Sequence, residues 1–512
     1  MADEDEQRLI EDLKRTENLP GSADHVEFIS THISLVFRTE TSVFKVKRAK
    51  NFGFLDYSTK EARERFCRAE VTLNRRTAPG VYLDVLPVYG DARGYSLTRV
   101  GDIVDHAVHM KRLPDHRSAL SLLQRGHLTH ENLGSLAARL ARFYLGAEAG
   151  PETSGNLRAS VEENFEQLRP FGGRFVSDRL LGELESLQRK WLAKWMDLLA
   201  SRPSRDGHGD LRLEHVYFTP EGPIAIDCIE FLERFRIADP ALDVAFLAMD
   251  LARHGRPDLG EFFLGRFAYA SDDYDFFPLA DGYLSYRACV RAKVACFLAG
   301  DASTAPDRVE SKGREARDFL DLALALMGGR SARPVVFAIG GLIGSGKTTV
   351  AEQLSRSTGA PLVSADATRK FLAGIPREEK GPASIYSGPF SERVRDELLR
   401  RGARVLESGR SVILDTTFVS REYRRHAREL AQRFAAAFLF VECRAPESVL
   451  RERLRGRTGG VSDAREDLLD RFLRAVEPAT ELPPEERLVV DTTRSAEEAV
   501  AEIRRRAEAT PV

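Results

Sequence analysis

Cysteine is scarce and scattered in this 512-residue sequence. Its five cysteines, Cys67, Cys228, Cys289, Cys296 and Cys443, never adopt C-x-x-C spacing. Neither a zinc site nor a disulfide framework is indicated, and reduced, buried thiols are expected. An excess of charge of one sign is missing too. Lysines and arginines number 76 against 78 aspartates and glutamates, a net charge of −2. No global basic field would recruit nucleic acid or an acidic membrane surface. No uninterrupted apolar run approaches the roughly eighteen residues that a membrane-spanning helix needs. The first residues, Met1-Ala2-Asp3-Glu4-Asp5-Glu6, are acidic and hold no apolar signal core, so a cytoplasmic protein is expected. Internal repeats and low-complexity tracts are absent as well.

What is present is ordinary for a globular chain: 43% hydrophobic and 30% charged residues, in a length that suggests about two to four domains. The C-terminal part alternates between strand and helix. Strand-like runs are Val335–Ile339, Pro361–Ser364, Ser411–Leu414, Ala437–Val441 and Arg487–Val490, with charged helical segments between them. That alternation predicts an α/β domain with a five-stranded parallel sheet covered by helices on both faces. The Gly-, Ser- and Pro-rich stretch Met327–Pro334 reads as a linker, placing the domains at 1–330 and 331–512. Strand signals at His25–Ser30, Ile33–Thr39 and Ser42–Arg48 open the N-terminal part, and helical patterns follow. One is the apolar stripe Leu133, Leu136, Ala137, Leu140, Phe143, Tyr144. Another begins at Asp239-Pro240 and ends at Gly255. This is an α+β arrangement, so the chain is multidomain with two different folds.

The most informative stretch is Gly341-Leu342-Ile343-Gly344-Ser345-Gly346-Lys347-Thr348, which fits G-x-x-x-x-G-K-[ST] at every fixed position. It follows a strand-like run and precedes a helix-compatible one that starts at Thr349. Glycines Gly341, Gly344 and Gly346 let the backbone, with Ser345, curl into an anion nest at a helix N-terminus. Lys347 would reach the β- and γ-phosphates of ATP, Thr348 would hold Mg²⁺, and Thr349 joins the nucleotide-binding set. Asp415 and Asp366 stand where strands end. Asp415 suits a second part in holding metal-bound water, and Asp366 suits a base facing an acceptor hydroxyl. Arg369, one helical turn after Asp366, could orient an acceptor anion. The arginine-rich segment Glu447–Arg457 and the loop after it read as a mobile basic lid, with Arg453 and Arg457 as candidates to stabilise the transferring group.

These residues together resemble the P-loop kinases of the polynucleotide kinase, zeta-toxin and gluconate kinase group. The resemblance rests on Gly341–Thr348, the D-x-x-R unit Asp366-Ala367-Thr368-Arg369, Asp415 and the arginine-rich lid. It implies that Asp366 is the base and that Arg369 contacts an acceptor phosphate.

In the N-terminal part, His208-Gly209-Asp210 and the apolar strand Pro223–Ile226 ending at Asp227 resemble the catalytic heart of aminoglycoside phosphotransferase-like kinases. The resemblance implies a protein-kinase-like fold in which Asp210 is the base and Asp227 binds Mg²⁺. The metal-binding Asn of that family is replaced here by His215, which is retained as a metal candidate although Mg²⁺ prefers oxygen. The small lobe should supply a lysine to the phosphates, held by a glutamate. Lys45 is preferred over Lys47 on the same strand face, and Glu70 is the partner. Asp239 and Asp243 are expected to cap and brace the catalytic loop.

The sequence thus predicts an ATP- and Mg²⁺-dependent kinase with two nucleotide sites acting on a small-molecule hydroxyl. Two alternatives stay open. One is a nucleic acid 5′-hydroxyl as acceptor. The other is a P-loop kinase regulated by a catalytically impaired N-terminal nucleotide-binding module.

Overall fold

The computed structural model describes residues 3–51, 56–152, 154–301, 304–456 and 469–509. The lid loop 457–468, with Arg457, lies outside the described residues. So do residues 52–55. The chain divides into two compact units, Met1–Asn156 with Pro203–Asp243, and Leu157–Arg202 with Val244–Val512.

The first unit opens with helix α1 (Asp3–Leu13). A six-stranded antiparallel sheet follows: β1 (Glu27–Ser30), β2 (Ser34–Arg38), β3 (Ser42–Lys47), β4 (Tyr82–Asp91), β5 (Gly94–Ser96) and β6 (Asp102–Lys111), in the order β1-β2-β3-β6-β4-β5. Helix α2 (Lys60–Asn74) crosses between β3 and β4. Alternation along the strands gives the sheet two apolar faces. Leu9, Ile10 and Leu13 of α1 join Leu35, Phe37, Phe44 and Val46 in one core. Cys67 and Val71 of α2 join Tyr82, Val108 and Met110 in another. Burying each such large side chain contributes roughly 1.5–3 kcal/mol. Helix α3 (His130–Gly146) starts on a Thr129–Asn132 capping box. It buries the predicted stripe except Phe143, whose half-buried ring lies 5.4 Å from the Arg76 guanidinium. A two-stranded ribbon, β7 (Val216–Thr219) and β8 (Gly222–Ala225), lies between the two loops of the N-terminal candidate site.

The second unit contains α4 (Asp178–Lys194), most of α5 (Pro240–Arg253), α6 (Pro257–Ser271), α7 (Phe277–Gly300) and α8 (Pro306–Met327). It continues into the α/β region. There a five-stranded, all-parallel sheet has the order β10-β11-β9-β12-β13, from β9 (Val335–Gly340), β10 (Leu362–Ser364), β11 (Val412–Asp415), β12 (Ala437–Arg444) and β13 (Arg487–Asp491). Strand β9 is a continuous apolar run because both its faces are covered. The helices are α9 (Lys347–Thr358), α10 (Ala365–Leu372), α11 (Gly388–Glu407), α12 (Arg421–Arg433), α13 (Glu447–Arg455), α14 (Leu469–Ala475) and α15 (Ala496–Glu508). Val350 and Leu354 of α9 and Val500 and Ile503 of α15 fill the core beneath β9 and β12. The predicted parallel five-stranded sheet is present, and each predicted strand overlaps an observed one. All five cysteines are free and buried. Among the described residues, no helix is long and apolar enough to cross a membrane.

Candidate active sites

The phosphate-binding loop connects the end of β9 to the start of α9. Gly346 caps α9 at φ 79° and Gly341 sits at φ 140°. Both values belong to the region that glycine enters without strain. A side chain at Gly341 would also collide, its Cβ falling 2.5 Å from the Cys443 carbonyl oxygen. The loop's apolar residue Ile343 packs with Leu450, Leu454 and Leu469, which ties α13 and α14 to the loop.

Parallel pairing sets Asp415 opposite Ile339, beside the loop. The Thr348 hydroxyl donates to Asp415 Oδ2 at 2.9 Å. Asp415 is 4% exposed, and its Oδ1 is buried with no hydrogen-bond partner. Burial pushes the Asp415 carboxyl up to about 6, against the pull of Lys347 and Thr348 and with a push from Asp366. A buried carboxylate oxygen without a partner, next to a threonine hydroxyl and a glycine nest, fits a hard divalent cation carried by a polyphosphate. The Ser345 hydroxyl is likewise buried and unpartnered. Thr349 is exposed on the first turn of α9.

Asp366 lies in the first turn of α10, whose N-cap Ser364 accepts from the Ala367 N–H. Arg369 NH1 donates to Asp366 Oδ1 at 3.0 Å, and its guanidinium carbon lies 4.9 Å from the Tyr386 ring centre. Its Nε is buried without a partner. Lys347, Thr348, Asp366, Arg369 and Asp415 line one cavity of about 290 Å³. Tyr386, Arg395 and Tyr423 line the same cavity, and no motif in the sequence marks them. Arg395 sits 5.7 Å from the Tyr423 ring centre, and the Tyr423 hydroxyl is buried without a hydrogen-bond partner. Only the packing of α11 and α12 brings these side chains to Asp366, and nothing local in the chain signals it.

Arg453 departs from the lid expectation. Its guanidinium donates to the carbonyls of Gly344 at 3.4 Å and Thr492 at 2.6 Å, and to the Thr492 hydroxyl at 3.3 Å. It is not among the residues that line the cavity. One of these carbonyls, that of Gly344, belongs to the loop, and the other follows β13, so Arg453 braces the loop against that strand's end.

The N-terminal candidate site lies wholly within the first unit. Asp243 accepts from the backbone N–H groups of His208 (2.7 Å) and Gly209 (3.0 Å) and from the Tyr144 hydroxyl (3.1 Å). That carboxylate fixes the loop before Asp210. Asp239 accepts from the Ala241 N–H at 2.9 Å and caps α5. His208 is fully buried, donates through Nε2 to the Ile226 carbonyl at 2.9 Å and accepts from the Asp210 N–H at 3.3 Å. Burial, helped by His215, pulls its ionisation down to about 4, so it is neutral.

Glu70 of α2 joins both candidate lysines of β3. Lys45 Nζ is 3.0 Å from Glu70 Oε1 and 2.6 Å from Asp227 Oδ1. Lys47 Nζ is 2.7 Å from Glu70 Oε2 and also binds Glu230 and the Tyr57 hydroxyl. Lys47 is wholly buried, whereas the Lys45 side chain is 15% exposed. Lys45 therefore faces the site and Lys47 braces it. Asp227 sits at φ 66° with its N–H on the Tyr82 hydroxyl at 3.0 Å. Partial burial favours its neutral form, but Lys45, His215 and Arg212 together outweigh that and hold its carboxyl well below the usual range.

His215 does not stand as a metal ligand here. Its Nδ1 lies 2.9 Å from the Asp210 carbonyl and its Nε2 lies 3.2 Å from Arg212 NH2. A carbonyl takes only a proton donor, so Nδ1 carries the hydrogen and Nε2 accepts from Arg212. Nδ1 is thereby committed to the Asp210 carbonyl, and Nε2 is shared between Arg212 and the Asp227 carboxylate, whose Oδ2 lies 3.5 Å away. Arg212 also grips Asp210 with two hydrogen bonds, 2.8 Å to Oδ1 and 2.9 Å to Oδ2. Arg212 lies inside the motif, yet a loop arginine two residues after an aspartate carries no signal by itself. Among the described residues, no group of three or more His, Cys, Asp or Glu is arranged to hold a metal ion.

Known proteins resemble both parts of the chain. The model of the phosphotransferase enzyme family matches residues 80–279, and an AAA domain model matches 336–479. These define the class, a kinase that combines a phosphotransferase domain with a P-loop domain. The uncharacterized protein Rv2004c of Mycobacterium tuberculosis is 32% identical over 454 residues, spanning 86% of this chain and 88% of its own. The chain belongs to this two-domain kinase family. Among solved structures, a gluconokinase from Sinorhizobium meliloti is 28% identical over 35% of this chain and 96% of its own, with a TM-score of 0.25. A choline/ethanolamine kinase family protein from Mesorhizobium loti is 16% identical over 63% and 98%, with a TM-score of 0.38.

Proposed function

We propose that this kinase transfers the γ-phosphoryl group of ATP to a hydroxyl of a small, anionic molecule at the P-loop site, in a domain spanning 331–512. The reading is carried by one observation: Lys347, Thr348, Asp415, Asp366 and Arg369 line a single cavity of about 290 Å³. Gly341–Gly346 and Lys347 would hold the phosphates. Thr348 and the unpartnered oxygen of Asp415 would hold Mg²⁺. ATP with its metal supplies the phosphoryl group and part of the charge that neutralises it. Asp366 takes the acceptor hydroxyl proton as the new O–P bond forms and the bond to the β-bridging oxygen breaks, releasing ADP. Arg369 and Arg395 would hold the acceptor's anionic group, and the Tyr423 hydroxyl could donate to it. A cavity of this size suits a metabolite better than a polynucleotide.

A domain at 1–330 would provide a second ATP site, with Lys45, Glu70 and Asp227 at the phosphates and metal, and Asp210 as its base. The double hydrogen bond from Arg212 to Asp210 favours a second reading for this site. Arg212 occupies both carboxylate oxygens of Asp210, whereas Arg369 bonds one oxygen of Asp366, so the N-terminal site would bind ATP and regulate the P-loop domain without transferring.

A metabolite library incubated with full-length protein and γ-labelled ATP tests both readings. Wild type and Asp210→Asn should label the same compound. Lys347→Ala should lose roughly 10²–10³-fold in rate, as removal of a charge-stabilising donor does. Labelling that survives Lys347→Ala and vanishes in Asp210→Asn would move the reaction to the N-terminal site.

A further inference from the structure

Helix α10 presents Asp366 and Arg369 to the cavity. Two of its other side chains are buried, Thr368 at 0% and Lys370 at 1% exposed, while Phe371 is 49% exposed. What holds the buried side chains comes partly from the helical segment that precedes the α/β region. Arg401 of α11, 1% exposed, donates from NH1 to the Thr368 hydroxyl at 3.3 Å and to Asp272 Oδ1 at 2.9 Å, and from Nε to Glu397 at 2.9 Å. Its guanidinium also covers the ring of Phe371, 4.7 Å away. Arg377, just beyond α10, meets Asp272 Oδ2 at 2.5 Å and lies 4.3 Å from the Tyr269 ring centre. The Arg377 carbonyl in turn accepts from Lys370 Nζ at 2.8 Å. The Tyr274 hydroxyl donates to the carbonyl of Leu362 at 2.7 Å, in the strand that leads into α10.

One carboxylate thus holds two guanidiniums, one bonded to the middle of α10 and one just past its end. Asp272 closes α6 at φ 56° and ψ 20°, the left-handed conformation. It is 13% exposed at the side chain and lies within the stretch matched by the phosphotransferase enzyme family. The Arg401 bond is charge-assisted and directional, so it fixes orientation as well as distance, while the Arg377 pair adds electrostatic attraction. Apolar packing could hold α10 against the sheet. It would not fix the rotation that decides where Asp366 and Arg369 point.

We propose that Asp272 is a positioning residue for the P-loop site: through Arg401 and Arg377 it sets the orientation of the acceptor-side helix. The inference rests on the reading of Asp366 and Arg369 as the acceptor-binding pair. It makes the helical segment before the linker a working part of the P-loop kinase. It also gives a physical route by which events in that segment reach the acceptor without touching the nucleotide loop.

The test uses the full chain with Asp272→Gly, which removes the carboxylate while accepting the left-handed backbone. Asp272→Asn keeps shape and backbone preference and weakens only the charge. Hydrogen exchange of α10 amides should accelerate roughly tenfold in the glycine variant and less in the asparagine variant, while amides of β9 and α9 are unchanged. With the acceptor found in the screen, KM for acceptor should rise roughly ten- to hundred-fold in Asp272→Gly, with KM for ATP held and partial rescue in Asp272→Asn. Unchanged α10 exchange overturns the proposal. So does a loss in which β9, α9 and KM for ATP deteriorate together, because that marks general support of the fold. Should the glycine variant not fold, Asp272→Asn alone must show the same selective pattern in smaller measure, and its absence is refutation. Asp366→Asn with full transfer would sink the underlying site reading, yet the exchange result would still stand or fall by itself.

Discussion

Asp415→Asn is expected to make the ligand-free protein more stable at pH 7 and at the same time abolish transfer. The carboxyl is buried beside Thr348, and burial raises its ionisation to about 6. An unfolded chain releases this proton near 3.8 and the folded one only near 6. The native state therefore binds more protons between those values, and stability falls as pH rises from about 4 to about 6 before levelling. At neutral pH the charged, half-partnered carboxylate costs about 2–3 kcal/mol, since each tenfold change in proton affinity is worth roughly 1.4 kcal/mol. Asparagine keeps an oxygen for the Thr348 hydroxyl and carries no charge. Calorimetry of the two proteins should show the variant ahead at pH 7 and level with wild type near pH 4. Affinity for the metal–nucleotide should itself decline as pH falls below about 6, since proton and metal compete for this carboxylate. A variant no more stable than wild type at pH 7 would show that Asp415 is not held against its solvation preference.

Lys47→Met is expected to destabilise the first unit by about 3–5 kcal/mol, the usual consequence of removing one member of a buried ion cluster. Lys47 is wholly buried, Glu70 is 1% and Glu230 7% exposed at the side chain, and all three depend on one another. Lys45→Met should do much less harm to the fold. Lys45 is partly open and its partner Asp227 is 43% exposed, so water replaces most of what is lost. Its deficit should appear instead in nucleotide affinity at the N-terminal site. Hydrogen exchange at β3 amides reads the first effect and ATP-analogue binding the second. Equal destabilisation by both variants would erase the distinction between a bracing and a ligand-facing lysine.

Much of this is legible in the chain because it is local. A Gly-rich turn between an apolar strand and a helix states its own geometry. The central strands of the parallel sheet read clearly because burial on both faces leaves them apolar, and the edge strand β13 shows only a short Leu488-Val489-Val490 run with Val489 40% exposed. Lys45, Lys47 and Glu70 follow from strand alternation and a helix partner, although period-2 spacing alone cannot rank the two lysines. What is illegible is set by tertiary packing. Arg395 and Tyr423 reach the cavity only once α11 and α12 stack against the sheet. The Arg212 grip on Asp210 and the turning of both His215 nitrogens inward depend on side-chain directions that spacing does not encode. Arg453 fits a lid by composition, but the carbonyls of Gly344 and Thr492 draw it to the loop. The bond from Asp272 to Arg401 spans 129 residues of sequence, and no periodicity reaches so far.

The central claim is that Asp366 serves the acceptor at the P-loop site, and transfer by Asp366→Asn tests it most directly. Asparagine keeps the shape of the carboxylate and cannot take a proton. Nucleotide affinity at the P-loop should stay at the wild-type level while γ-phosphoryl transfer to the acceptor falls by roughly 10²–10⁴, the range for loss of a positioned base. Transfer undiminished in that variant, with nucleotide bound as before, would contradict the account.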